Sequence, residues 1–208
     1  LTSEEWALKA ADILRRPDPL ELFREWYGEV QSHPLIVEPT AMTLATSDTL
    51  AMPSLRTVLL KQFTPAEGFV FFTNYESRKG QALISNPKAA LLFFWAPLAR
   101  QVNVRGTVTK TSRADSEEYW RSRPRGSQIA STLSRQSRAV PPGQTLDQIF
   151  AATEAQFAGQ EIPCPPHWGG FVLKPSEIEF WLGQPNRLHE RVRFSFDGKS
   201  WRGEQLFP

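Results

Sequence analysis

Cysteine occurs once in the 208 residues, at Cys164, so no disulfide can form within the chain. Its order must come from packing and hydrogen bonding. The lone thiol, set in Ile162-Pro163-Cys164-Pro165-Pro166, fits a reducing compartment. Histidine is nearly as scarce. His33, His167 and His189 stand far apart without metal-ligand spacing, so no metal site is expected. No apolar run approaches the ~20 residues needed to span a bilayer. Leu1-Thr2-Ser3-Glu4-Glu5 shows no signal-peptide pattern and begins without Met, as a truncated or processed chain would. From these absences a soluble, cytoplasmic protein with no membrane partner is expected. The loops G-x-G-x-x-G and G-x-x-x-x-G-K-[ST] are missing too, which argues against a Rossmann or P-loop nucleotide site. The formal net charge is only +2, so no nucleic-acid partner is expected.

What is present suits an ordered chain: 40% of residues are apolar and 22% charged. The length fits a single domain over residues 1–208, with an added helical layer. Thr2-Ser3-Glu4-Glu5 reads as a capping box ahead of Trp6, Ala10, Ile13 and Leu14 at helical spacing. Asp18-Pro19 starts a second helix, with Asp18 as N-cap and Glu21 as reciprocal cap; Leu20, Phe23, Tyr27 and Val30 form its apolar stripe. Residues 1–35 thus form a helical cover. The middle is rich in strands, at 41–45, 55–61, 69–73, 89–95 and 101–109, parted by Thr64-Pro65, Asn86-Pro87 and Ala96-Pro97. Helices are expected at 77–85, 112–121 and 127–133, and an inserted helix at 145–160 capped by Thr145 and Gln148. Strands return at 170–174, 177–182 and 191–196, and Asp197-Gly198 turns into a last one at 200–207. Many short strands with helices between them predict a mainly β chain, an antiparallel barrel with added helices.

Four groups of residues carry chemistry. In Arg56-Thr57-Val58-Leu59-Leu60-Lys61, a charge stands at each end of an apolar strand, and the odd spacing points the two to opposite faces. Either these ends reach solvent or each holds an anion. In Phe71 to Gly80, a strand runs through a turn into a helix whose first turn holds Arg78 and Lys79. The helix dipole disfavours cations there, so their presence makes sense if a phosphate binds; two surface cations on a Ser-capped helix are the other reading. Tyr119, Arg123 and Ser127, each four apart, gather phenol, guanidinium and hydroxyl donors that suit a second phosphate. Finally, Phe180 to Arg191 leads from a strand into a loop with Arg187 and His189, either an ordinary hydrated loop or a place for proton transfer. Two anion sites on a barrel point to a phosphorylated cofactor meeting a phosphorylated substrate.

These groups, in this order, resemble the pyridoxine (pyridoxamine) 5′-phosphate oxidase family. Arg100-Gln101-Val102, Ser134-Arg135-Gln136-Ser137 and Trp168-Gly169-Gly170 add to the likeness, which spans about residues 18 to 206. The resemblance implies an FMN-binding split β-barrel and a homodimer with FMN at the subunit interface. It implies FMN contacts from Arg56, Thr57, Val58 and Leu59, from Phe72, Thr73, Arg78 and Lys79, and from Gln101, Gln136, Ser137, Trp181 and Arg191. It implies a substrate pocket of Lys61, Tyr119, Arg123, Ser127, Arg187 and His189, the first four on the substrate phosphate. Arg187 and His189 are the implied catalytic pair near C4′. The implied reaction takes pyridoxine 5′-phosphate or pyridoxamine 5′-phosphate to pyridoxal 5′-phosphate. A hydride equivalent passes from C4′ to flavin N5, and O2 reoxidises the flavin to give hydrogen peroxide.

Some positions depart from the family pattern. Asn103 stands where a basic residue is common, Gln205 replaces an Arg near the end, and Asp48-Thr49-Leu50 lacks the common Asp-Gly turn. An N-terminal arm that covers the substrate in some relatives is missing from the sequence as read. Two alternatives stand beside the oxidase: a related FMN oxidase acting on another aromatic metabolite of phenazine type, and a non-catalytic flavin-binding module.

Overall fold

The computed structural model describes residues 8–208. The capping box expected at Thr2 to Glu5 lies outside them. Helix α1 (Ala10–Leu14) and helix α2 (Pro19–Ser32) come first. Asp18 caps α2 as expected, its side chain accepting from Leu20 N–H at 2.8 Å. Glu21 does not complete a capping box; its carboxylate pairs with Arg24 one turn on. Nor is α2 merely a cover. Phe23 is fully buried, edge-on to Phe69 at 4.8 Å and to Phe63 at 4.7 Å, and Leu20, Leu22, Trp26 and Val30 are buried with it. Each such side chain contributes about 1.5–3 kcal/mol to folding, so α2 is part of the core.

Among the described residues nine strands form one antiparallel sheet: β1 (Ala41–Ser47), β2 (Pro53–Leu59), β3 (Gln62–Thr64), β4 (Gly68–Asn74), β5 (Lys88–Trp95), β6 (Arg100–Lys110), β7 (Trp168–Leu182), β8 (Glu190–Phe196) and β9 (Trp201–Leu206). The order is β2-β1-β5-β6-β7-β4-β3, with β8 on β7 and β9 on β8. The ends of this path meet. Leu60 N–H bonds Thr40 O at 2.8 Å, and Lys61 N–H bonds Val70 O at 2.9 Å. The chain leaves the β1 side and joins β4 within one residue, curling the sheet on itself. Alternation shows which face is inside: Met42 and Leu44 are buried while Ala41, Thr43 and Ala45 are half-buried.

Two expected strands, 170–174 and 177–182, are one continuous strand, β7. Its first part lies between β4 and β6, its second between β8 and β6. Pro175 falls in the gap between the two expected strands, as a residue that cannot donate to the ladder would. It is tolerated because the register shifts there: Arg105 faces Glu177, Gly106 faces Pro175, and Ser176 is the extra residue of a bulge. Gly106 permits the close approach, since a Cβ there would lie 2.1 Å from Lys174 O. The three-residue β3 was not expected. In the β1–β2 connection Ala51 takes the left-handed φ of +62°, and the Asp48 carboxylate accepts from Leu50 and Met52 N–H, standing in for an Asp-Gly turn.

Helix α3 (Arg78–Ser85) joins β4 to β5, while α4 (Arg113–Ser122), α5 (Arg125–Leu133) and α6 (Leu146–Gln156) fill the span from β6 to β7. Thr145 and Gln148 form the expected capping box of α6. Trp120, Ile129, Ile162 and Trp168 make a second, smaller core beneath α4 and α5. Among the described residues no helix is long and apolar enough to cross a membrane.

Candidate active site

A cleft of about 890 Å³ opens between β2, the end of β4, α3 and the α4–α5 helices. Arg56, Thr57, Val58, Leu59 and Lys61 supply one wall; Phe72, Thr73, Asn74, Arg78 and Lys79 supply a second. Tyr119, Arg123, Ser131, Ser134, Gln136, Ser137 and Trp168 line it as well. Arg56 and Lys61 therefore share one cleft, although their odd spacing predicted opposite faces. The strand ends at Leu59, and the change of partner at Leu60 and Lys61 breaks the alternation.

The sequence builds the β4–α3 corner locally. Asn74 ends the strand; its Oδ1 accepts from Glu76 N–H at 2.7 Å and its Nδ2 donates to Ser134 O at 3.1 Å. Ser77 Oγ caps α3 by accepting from Gly80 N–H. Gly80 lets the helix sit tight on the turn, because a Cβ would lie 2.4 Å from Tyr75 O. The N–H of Arg78 is not free: it donates to Ser137 Oγ at 3.2 Å, and Ser137 adopts φ +73° to receive it. Lys79 Nζ donates to Gln136 Oε1 at 2.6 Å and Thr73 Oγ1 at 3.2 Å. Burial and the nearby charge of Arg56 pull the Lys79 ammonium down to about 8. Arg56 is itself held, donating to Leu44 O, Thr46 Oγ1 and Ser54 Oγ, and is pushed below its ordinary value by burial and then by Arg78.

The other end of the cleft is aromatic. Phe72 stacks on both Tyr119 and Trp168, whose own rings are near-parallel with centroids 6.2 Å apart, and Arg123 sits over Trp168 at 4.7 Å. Arg123 donates to Ser131 Oγ at 2.9 Å. Ser127 does not line the cleft; Ser131, one turn further on the same face of α5, does. Ser54, Asn74, Ser131, Ser134 and Trp168 are lining residues that the site reading from sequence did not name. Seryl i+4 spacing from Ser127 was the available signal for Ser131. Trp168 was quoted only as part of a motif.

Charge decides what the cleft can hold. Arg56, Lys61, Arg78, Lys79 and Arg123 line it, and among the described residues no Asp or Glu does. Burial and then a neighbouring cation lower Arg56 and Lys79, with no lining carboxylate among the described residues to balance them, which suits the cleft to an anionic ligand.

Besides Ser127, five of the expected site residues stand elsewhere. Gln101 on β6 faces Trp181 on β7, which faces Arg191 on β8. The His189 ring packs 4.6 Å from Trp181, and Arg187 lies exposed in the loop before it. Asn186 and Arg187 adopt φ +57° and +61°, a conformation costly for non-glycine residues and concentrated at functional sites. None of these five lines the cleft.

Residues 31–157 match the family described as pyridoxamine 5′-phosphate oxidase. The chain belongs to that family. Residues 168–208, which carry four of these five, match the pyridoxine 5′-phosphate oxidase C-terminal dimerisation region. A pyridoxine/pyridoxamine 5′-phosphate oxidase of Cyanothece sp. is 46% identical over 192 residues, covering 92% of this chain and 89% of that one. The protein of the same name from Salinibacter ruber is 48% identical over 194 residues, covering 92% and 89%. Among solved structures, PhzG from Burkholderia lata, in complex with tetrahydrophenazine-1-carboxylic acid, superposes with a TM-score of 0.86 at 28% identity, covering 93% and 94%. A pyridoxamine 5′-phosphate oxidase-related, FMN-binding protein from Nostoc punctiforme shares the fold at a TM-score of 0.70 and 16% identity, covering 90% and 96%.

Proposed function

We propose that this protein is an FMN-dependent oxidase that converts pyridoxine 5′-phosphate and pyridoxamine 5′-phosphate to pyridoxal 5′-phosphate. The observation that carries the reading is the cleft, lined among the described residues by five cations and no carboxylate; we read the cations as two groups. Beyond the effect of burial, Arg56 is lowered by the charge of Arg78 and Lys79 by that of Arg56, and these three cations form one anion position. Arg123, beside Tyr119, with Lys61 forms the other. One phosphate belongs to the cofactor and one to the substrate.

In this reading Arg56, Arg78, Lys79 and Ser137 hold the FMN phosphate, with Thr57, Val58, Leu59, Phe72, Thr73 and Gln136 along the rest of the molecule. Lys61, Tyr119 and Arg123, with Ser127 one turn from Ser131, hold the substrate phosphate. Gln101, Trp181, Arg191, Arg187 and His189 complete the site from a second subunit, so that FMN lies at the interface of a homodimer. Four of these five lie in the matched dimerisation region, and the fifth, Gln101, is the cross-strand partner of Trp181. FMN supplies the two-electron redox chemistry when bound. The chain's own residues fix the substrate by its phosphate, lay its ring beside the Phe72–Trp168 aromatic wall, and steady C4′ through Arg187 and His189. Overall, the pyridoxine form plus O2 gives the aldehyde and H2O2; the pyridoxamine form also consumes water and releases ammonia. A cytoplasmic location fits the single free thiol at Cys164.

The PhzG likeness favours a second reading, oxidation of a phenazine-type carboxylate. Lys61 and Arg123, placed for a phosphate at the substrate end, argue for the B6 vitamer. The test is the flavin spectrum of the FMN-loaded protein without oxygen. Pyridoxine 5′-phosphate should bleach the oxidised band, and air should restore it with pyridoxal 5′-phosphate formed. A spectrum indifferent to this substrate yet bleached by a dihydrophenazine carboxylate would move the assignment to the second reading.

A further inference from the structure

The loop that carries His189 fixes which of its ring nitrogens can hold a proton. The backbone N–H of Gln184 points at His189 Nδ1, with the two nitrogens 3.1 Å apart. A backbone amide is only ever a donor, so Nδ1 is the acceptor and carries no hydrogen. A proton on Nδ1 would set donor against donor. The neutral ring therefore bears its hydrogen on Nε2.

Gln184 is not free to turn its amide elsewhere. It is 8% exposed, and its side-chain Oε1 accepts from Lys9 Nζ at 3.2 Å. The residue before it is pinned too, Gly183 N–H donating to Ala99 O at 2.8 Å. On the far side, Glu190 accepts from Ala10 N–H and pairs with Lys9, so α1 braces both ends of the loop. The ring itself rests on Trp181. Among the described residues Nε2 makes no hydrogen bond within the chain; its donor is available to a ligand.

We propose that His189 acts in the oxidase site as a fixed hydrogen-bond donor through Nε2–H, and not as the base that removes a proton from the substrate. The Gln184 amide is the positioning group that enforces this. A base would need a bare Nε2, and the loop supplies the opposite tautomer. The natural recipient of the donor is the oxygen or nitrogen on C4′ of the vitamer. The inference rests on the oxidase reading for the identity of that recipient, but not for the tautomer.

Two measurements on the full-length, FMN-loaded protein test it. The first is the imidazole nitrogen spectrum of histidine-labelled protein at mildly alkaline pH, with the His189 signals identified by their loss in His189→Asn. Nδ1 should appear as a bare nitrogen and Nε2 as a protonated one; the reverse overturns the proposal. The second compares His189→Gln, whose amide N–H reaches the Nε2 position, with His189→Asn, which keeps only the Nδ1-like acceptor. Glutamine should retain about tenfold more kcat/KM for pyridoxine 5′-phosphate than asparagine, the worth of one hydrogen bond. Equal loss in both, or the better rate with asparagine, defeats the donor role. Were the unmodified protein to give no turnover at all, the oxidase reading would fall with the identity of the recipient, while the spectrum would still decide the tautomer.

Discussion

Phe72 and Tyr119 stack with ring centroids 4.1 Å apart and planes 23° from parallel. One comes from a strand, the other from a helix 47 positions later, and together they hold the phenol at the aromatic end of the cleft. Removing only the hydroxyl should spare the stack. Tyr119→Phe is expected to raise KM for pyridoxine 5′-phosphate about tenfold while FMN affinity stays as it was. Tyr119→Ala should add a loss of roughly 1–3 kcal/mol in denaturant unfolding, because the stack goes as well. If the phenylalanine variant bound substrate normally, the phenol would have no part in holding the phosphate.

Lys79 gives a pH dependence with a definite sign. Its folded-state value, about 8, lies below its ordinary 10.5, so the unfolded chain binds the proton more tightly. Below pH 8 the unliganded fold carries the full burden of a buried cation beside Arg56. Raising the pH from about 8 towards 10.5 should relieve it, and urea midpoints of the FMN-free protein should rise across that window. Lys79→Met should flatten the rise. The phosphate of FMN needs the charged form, so FMN affinity should fall over the same window. An affinity constant from pH 7 to 10 would remove Lys79 from the phosphate site.

The two positions assigned to cofactor and substrate should separate in kinetics. Arg78 is exposed at the start of α3, away from the core, so Arg78→Ala should fold normally. It is expected to weaken FMN binding about 10–100-fold, with little change in KM once FMN is saturating.

Arg187→Ala should do the converse, cutting kcat/KM about 10–100-fold with the FMN dissociation constant nearly unchanged. Fluorescence titration of FMN and steady-state assays read both. Equal losses in the two constants for either variant would undo the division of the site.

The outer face of the sheet bears on assembly. Phe94 is 60% exposed there and Leu55 68%. If Gln101, Trp181 and Arg191 join the cleft of a second subunit, Phe94→Asp should shift sedimentation from dimer to monomer and release FMN in the same step. A monomer that still binds FMN at full strength would show that one chain suffices.

Much of the fold was legible because the β-rich composition of the strands, the Pro breakers between them and the caps at Asp18 and Thr145 are local signals. What escaped was set by tertiary structure. Pro175 stops a strand in isolation, but the bulge opposite Gly106 accommodates it. Glu21 had two partners within reach and took Arg24 over the helix start. Strand parity failed for Arg56 and Lys61 because the chain changes partner between them, an event with no sequence periodicity. In the site, Lys79 meets Gln136 across 57 positions, and the resemblance alone brought these residues together. Ser131 was passed over because four-residue spacing from Arg123 pointed to Ser127; Ser131 lies one turn further along α5, where Arg123 reaches it.

The place of β7 has a consequence for how the polypeptide is made. Strands β4 and β6 are complete by residue 110, yet both pair with a strand that begins at Trp168. On the ribosome the nascent chain must wait through three helices with two strand edges bare before the piece that covers both emerges. Unpaired edges recruit other chains. A polypeptide released before residue 168 should therefore aggregate, and slow synthesis through residues 111–167 should make the whole protein lean on chaperones.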